Sequence, residues 1–180
     1  MAVREILLYS MHQAALREKS KPVPFVNRKV LALIRDLKDT LEASSDGIGL
    51  AAPQINVRKR VVIACPGSIV DGEWQAGPPV ALVNPVIIES SGERRDYDGC
   101  LSFPGIYGET TRPHYLRVIG LDEDGIPFDR VYEGFNAVII HHELDHLDGV
   151  LFIDRIENPQ DLFTLRENGG GETVRVQATV

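Results

Sequence analysis

Apolar and polar positions alternate along this chain with two distinct periods. From Asn27 to Ala43, Val30, Ile34, Leu37 and Leu41 recur at i, i+4, i+7 and i+11, which predicts a helix with one buried face and Asn27 as its N-cap. The helix is expected to stop at Ser44-Ser45-Asp46-Gly47, where turn formers take over. Gly47–Gln54 (GIGLAAPQ) is a run of small residues with little propensity for either regular form. Arg60–Ala64 reads as a buried strand, Pro66–Pro79 as a loop rich in Gly and Pro, and Val80–Glu89 as a strand that Pro85 must bend or push to an edge. Leu116–Leu121 and Ile126–Tyr132 read as a hairpin joined by Asp122-Glu-Asp-Gly125. A second helix is predicted from about Phe135 to Asp148, with Ile140, Leu144, Leu147 and, if the helix reaches it, Leu151 in one stripe. After Asp161 come a short helical stretch, a Gly169-Gly170-Gly171 break and an alternating, strand-like Val174–Val180. Strands flanked by helices imply an α+β domain: short strands in mixed or antiparallel sheets around the second helix. The expected organisation is one domain over residues 1–165, followed by a Gly-rich break and strand-like tail over 166–180.

With 180 residues, 43% hydrophobic and 25% charged, the chain has the composition of an ordinary globular domain with a real core. Apolar runs such as Ile6–Tyr9 and Ala137–Ile140 are far shorter than the ~18 residues of a membrane helix. Met1–Ser10 lacks the long apolar core of a signal peptide. A net charge of −7 argues against direct nucleic-acid binding, and two cysteines cannot build a disulfide framework. A cytoplasmic, membrane-free protein is expected.

The second helix carries His142-Glu143-Leu144-Asp145-His146. Residues i and i+4 share a helix face, so both imidazoles reach one metal ion. Glu143 leaves the helix about 100° round from His142, placed to take a proton from a water at that ion. Such a pattern arises by chance roughly 0.01 times in a chain of this composition. Both His142 and Glu143 fall outside the Ile140–Leu144–Leu147 stripe. A catalytic site of this kind takes three protein ligands. No His follows His146; upstream, Cys100 sits after a glycine and an acid, a poor core context, and its thiolate would complete a Cys-His-His set. Cys65, at a strand end, reads as a small buried hydrophobe.

Three segments together resemble the signature motifs of the peptide deformylase family. GIGLAAPQ (Gly47–Gln54) fits GxGLAAxQ, DGCLS (Asp98–Ser102) fits EGCLS, and HHELDH (His141–His146) fits QHExDH. A weaker likeness covers nearly the whole chain. The resemblance implies a hydrolase that releases formate from the N-terminal formylmethionine of newly made proteins. It implies one divalent ion on Cys100, His142 and His146: Fe2+ physiologically, with Zn2+, Ni2+ or Co2+ able to take the site. Glu143 would then be the general base, and the Gln54 amide and Leu101 N–H would stabilise the oxyanion. Gly47, Ile48, Gly49, Gly99 and Val138 would bind the peptide, with Leu50 as a further apolar wall or as ordinary core.

Two residues depart from the family pattern. Asp98 replaces Glu, so a supporting pair with Arg112 must form at closer range. His141 replaces Gln before the first ligand; it points away from the metal and is within i, i+4 reach of Asp145. The tail lacks the long basic helix by which some members dock on the ribosome. The expected partners are N-formylmethionyl nascent peptides and, without that helix, a ribosome met in another way; the expected state is a monomer. Two readings compete with the hydrolase: an HExxH endopeptidase, and a non-catalytic peptide- or ribosome-binding module with a structural metal.

Overall fold

The computed structural model describes residues 2–45, 47–167 and 172–180. After a short helix α1 (Tyr9–Leu16), α2 runs over Arg28–Glu42, and the Asn27 side chain accepts from the N–H groups of Lys29 and Val30 as an N-cap should. The strands are β1 (Gly49–Ala51), β2 (Val61–Ala64), β3 (Ser68–Val70), β4 (Glu73–Gln75), β5 (Val80–Ser91), β6 (Arg94–Gly99), β7 (Tyr107–Arg112), β8 (Tyr115–Leu121) and β9 (Pro127–Glu133). The helix α3 (Phe135–Leu147) and strands β10 (Leu162–Glu167) and β11 (Thr173–Gln177) complete the chain. A five-stranded sheet has the order β1-β2-β5-β8-β9 and a four-stranded sheet the order β11-β10-β7-β6, while β3 and β4 form a separate hairpin. All these strand pairings are antiparallel.

The five-stranded sheet is covered on both faces, which is why β2 reads as an unbroken apolar run. Val61 and Ile63 pack with Ile34, Leu37 and Leu41 of α2, whereas Val62 and Ala64 pack with Ile140, Leu144 and Leu147 of α3. A third cluster of Leu7, Leu16, Phe103, Leu151, Phe152 and Leu162 lies beside Cys100. No helix among the described residues is long and apolar enough to cross a membrane.

Several elements differ from the sequence reading. GIGLAAPQ is not irregular: it forms β1 and then a 3-10 turn over Ala52–Ile55. The 66–79 loop contains the β3–β4 hairpin, whose Asp71 and Gly72 both have positive φ (53° and 86°), as a two-residue hairpin turn requires. Pro85 does not put β5 at an edge. It bends the strand at a register shift between Val83 and Val86, where Asn84 takes φ 50° and its side chain bonds the backbone N–H and C=O of Val23. The stretch after Asp161 is strand β10 rather than helix, paired in register with β11. Leu151 lies beyond the end of α3, since Gly149 takes φ 72° and stops the helix. The Gly169–Gly171 break lies outside the described residues.

Candidate active site

In α3, every residue from Ala137 to Leu147 except His141 is buried. Its apolar stripe is spent on the five-stranded sheet, so the opposite, polar face looks toward β6 and the turn that follows it. There Cys100 Sγ lies 3.3 Å from His146 Nε2, and His146 Nε2 lies 3.2 Å from His142 Nε2. The three ligand atoms are within 4.8 Å of one another. Around a tetrahedral ion, ligand atoms at about 2.0–2.3 Å stand about 3.3–3.6 Å apart, so the set fits a single divalent ion. His146 Nδ1 has no partner among the described residues, whereas His142 Nδ1 is 2.8 Å from Asp98 Oδ1. That contact keeps the proton on Nδ1 and turns Nε2 toward Cys100, as an outer carboxylate does for a ligating imidazole.

Asp98 is 5% exposed and cannot stand alone. Arg112 Nε donates to its Oδ2 at 2.9 Å, and Thr110 Oγ1 donates to the same oxygen at 2.9 Å. Burial would raise the Asp98 carboxyl, but the adjoining His142 imidazole and the charge of Arg112 outweigh it and hold the group well below the usual carboxylate range. Arg112, fully buried, also donates through Nη1 to Asp145 at 2.7 Å, and Asp145 takes two further bonds from Arg155. His141 completes the cluster at 3.6 Å from Asp145, with Nδ1 2.7 Å from Arg112 Nη1; burial pushes its pKa down to about 4, so it stays neutral and accepts. The antiparallel β6–β7 ladder sets Arg112 and Thr110 within reach of Asp98.

Glu143 is 5% exposed, and its Oε2 has no hydrogen-bond partner among the described residues. Burial pushes its pKa up to about 7, the range in which a carboxylate can both take and return a proton. Its carboxylate lies over Gly49, where a Cβ would come 2.7 Å from Cδ and closer still to Oε1. Gln54 accepts from the Ala51 N–H through Oε1 at 2.8 Å, and this orients its Nε2 toward Ser102 Oγ (3.2 Å) and Cys100 Sγ (3.5 Å). A cavity of about 450 Å3 joins these groups. Gly47, Ile48, Gly49, Gln54, Gly99, Cys100, Leu101, Val138, His142 and Glu143 all line it. Arg112 stands behind Asp98, and Leu50 belongs instead to the α2 core. Sequence reasoning missed Phe135, Ile139, Tyr97 and Tyr107 on the cavity wall and the Asp145–Arg155 bonds. Asp145 lies inside the HHELDH motif, but Arg155 and the tyrosines carry no local signal.

The family model for polypeptide deformylase matches residues 3–161. The peptide deformylase of Thermomicrobium roseum is 42% identical over 163 residues, covering 90% of each chain. That of Heliobacterium modesticaldum is 44% identical over 158 residues, covering 88% of this chain and 97% of its own. Among solved structures, a Met-Ala-Ser-bound class I type b peptide deformylase from Acinetobacter baumannii superposes with a TM-score of 0.77 at 30% identity, covering 86% of this chain and 99% of its own. Motifs, fold and site geometry agree, and the chain belongs to the polypeptide deformylase family.

Proposed function

We propose that this chain removes the formyl group from the N-terminal formylmethionine of newly made proteins, with Fe2+ held by Cys100, His142 and His146. One observation carries the reading: a buried Glu143 carboxylate, whose Oε2 has no partner among the described residues, opens on the same cavity as Cys100 and His142 of the convergent Cys-His-His set. A divalent ion bound there supplies Lewis acidity toward a water and the formyl carbonyl. Glu143 takes a proton from the attacking water as its oxygen adds to the formyl carbon. The Gln54 amide, fixed through Ala51, and the Leu101 N–H stabilise the developing oxyanion. Glu143 then returns the proton to the leaving nitrogen as the C–N bond breaks, giving formate and a free methionine amine. Gly49 in β1 and Gly99 in β6 are edge residues of the two sheets and face one cavity, so an extended peptide can lie between them. Ile48 and Val138 supply apolar wall for the methionine side chain.

A thiolate with two imidazoles suits Fe2+ as well as Zn2+, Ni2+ or Co2+, and the preference for iron rests on the family resemblance. Residues 1–165 are taken as the catalytic domain and 166–180 as its tail, working as a cytoplasmic monomer on chains leaving the ribosome. The deciding assay offers metal-loaded protein formyl-Met-Ala-Ser, acetyl-Met-Ala-Ser and an unformylated peptide. Formate release from the first substrate alone is expected. Cleavage of internal peptide bonds would make the site an endopeptidase, and metal binding without any hydrolysis would make it structural.

A further inference from the structure

A second cavity lies on the α2 side of the five-stranded sheet, the far face from α3 and its histidines. It is an open groove of about 420 Å3. Val23, Val30 and Leu33, buried members of the α2 core, form its floor with Val57, and Phe25 stands at its edge, 62% exposed. The walls are fixed, because the Asn84 side chain bonds both the N–H and the C=O of Val23 and Asn27 caps α2. The charges around the groove run against those of the molecule. The chain has a net charge of −7, yet residues 1–60 hold 11 Lys and Arg against 6 Asp and Glu, whereas residues 61–180 hold 8 against 20. All five lysines fall between Lys19 and Lys59, and Lys38 alone of them makes an ion pair among the described residues. Lys29 and Lys59, both exposed, line the groove, and Lys21 is bridged to Lys59 through the backbone. Asp36, an acid that also lines it, is already held by Arg4 at 3.0 Å. The deformylation chemistry uses none of these groups.

We propose that this groove docks a short acidic segment of another protein. Large apolar side chains of the segment enter the floor, and Asp or Glu residues beside them pair with Lys29 and Lys59. The apolar half follows from the floor and its edge. A contiguous apolar surface with a polar rim marks a protein interaction site, and aromatic residues such as Phe25 are enriched in the contact patches of such sites. The acidic half follows from the rim. Lysines without internal partners attract acidic segments and repel basic ones. Arg28 and Lys29 also open α2, an end at which a helix favours acids over cations, and an acidic partner relieves that conflict. The shape then selects among anionic partners. A concave aliphatic floor receives side chains, whereas a lipid surface takes apolar groups that project from the protein. Single-stranded nucleic acid is held by rings on which its bases stack, and the floor has none. The sheet separates the groove from Glu143, so docking leaves catalysis free, and the proposal stands independently of the deformylase reading.

The test is fluorescence anisotropy of labelled peptides with the metal-loaded full chain. Three probes carry Leu and Phe in a background of Glu: Glu-Glu-Leu-Phe-Glu-Glu, Glu-Leu-Glu-Phe-Glu-Glu and Glu-Leu-Glu-Glu-Glu-Phe-Glu. Each has two controls, one with Lys for every Glu and one with Ser for Leu and Phe. At least one acidic probe should bind about tenfold more tightly than both of its controls, and added salt should weaken it. The double variant Lys29→Glu, Lys59→Glu should lose about tenfold or more in that affinity, and Phe25→Ser should weaken it severalfold. The double variant Arg130→Glu, Arg166→Glu, which changes net charge equally outside the groove, should bind as the unmodified chain does. All three variants should release formate from formyl-Met-Ala-Ser at the unmodified rate, which shows them folded. Acidic probes that never exceed their controls overturn the proposal. So does binding undiminished in the Lys29→Glu, Lys59→Glu variant. Binding of an oligouridylate or of phosphatidylglycerol vesicles through the two lysines, with no peptide bound, would make the face an RNA or lipid surface and overturn it too. Failure to release formate would defeat the deformylase reading and leave the peptide comparison standing.

Discussion

In the proposed reaction Glu143 takes and returns the proton, and its surroundings state what its removal should do. It shares the cavity with Cys100 and His142, and its Oε2 has no hydrogen-bond partner among the described residues. Glu143→Ala should therefore keep about one metal ion per chain and lose about 10²–10⁴-fold in kcat, the usual worth of a positioned base. Metal analysis of the purified variant checks the first part; metal lost together with activity would make Glu143 a ligand. Gly49→Ala should imitate that loss without touching a titratable group, because its Cβ would displace the carboxylate lying over it. The Asp98 carboxyl, one methylene shorter than the Glu of the family motif, still reaches His142 at 2.8 Å and Arg112 at 2.9 Å. Asp98→Ala should then weaken metal binding about 10- to 100-fold, as loss of an outer carboxylate commonly does, and leave Arg112 with one carboxylate fewer. Competition with a chelator of known affinity reads that shift, and an unchanged affinity would show that Asp98 serves folding alone.

The elements that bear the site differ in how far local sequence betrays them. The helices α2 and α3 were legible because an amphipathic period and an N-cap, or HExxH and a closing glycine, are written within one stretch of chain. Cys100, His142 and His146, which converge in space, stand in two such short motifs. Strands β6 and β7 were not legible, because Arg94–Gly99 is charged at every position but Tyr97 and Gly99 and owes its pairing to Thr110, Arg112 and Tyr107 across the ladder. The hairpin β10–β11 likewise depends on partners outside the local stretch, in β11 and, for Leu162 and Phe163, in β7, and the reading of a helix after Asp161 fails for want of that information. Long-range ties of this kind have their own measurable weight. The end of α1 is fastened to the segment after α3 by a two-pronged ion pair between Arg17 and Asp154. The pair is partly exposed, so it contributes at most about 1 kcal/mol. Although burial opposes it, Arg17 depresses the Asp154 pKa; the stabilisation is thus full above the ordinary carboxylate pKa and vanishes as pH falls through the depressed one. Asp154→Asn should lower Tm by about 2–4 °C at pH 7 and make progressively less difference as the pH is lowered through the acid range, measured by thermal scans of both proteins. A deficit that persists undiminished in acid would assign the loss to the Asp154 bond with the Leu151 N–H instead.

At the scale of the whole molecule, the ligand set joins parts that the cores do not. His142 and His146 belong to α3, which is packed on the five-stranded sheet, whereas Cys100 follows β6 at the edge of the four-stranded sheet. The third cluster, with Leu7, Phe103 and Phe152, lies beneath that junction, and the N-terminal segment crosses it through bonds from Leu7 N–H to the Gln54 carbonyl and from Tyr9 N–H to the Ser102 carbonyl. An ion held by Cys100 and both histidines would therefore brace one sheet against the other, and it would bind only the folded arrangement. Folded-state binding at a free ion concentration 100 times Kd stabilises by about 2.7 kcal/mol. For a chain of 180 residues that corresponds to a Tm about 5–11 °C higher with metal than after chelation. Cys100→Ala should melt near the chelated value whether or not metal is added, because the bridge to the four-stranded sheet is gone. His146→Ala should behave alike, which separates loss of the bridge from loss of a sulfur atom. Equal Tm for loaded and stripped protein would overturn this, because an ion that binds only the folded chain must raise its Tm.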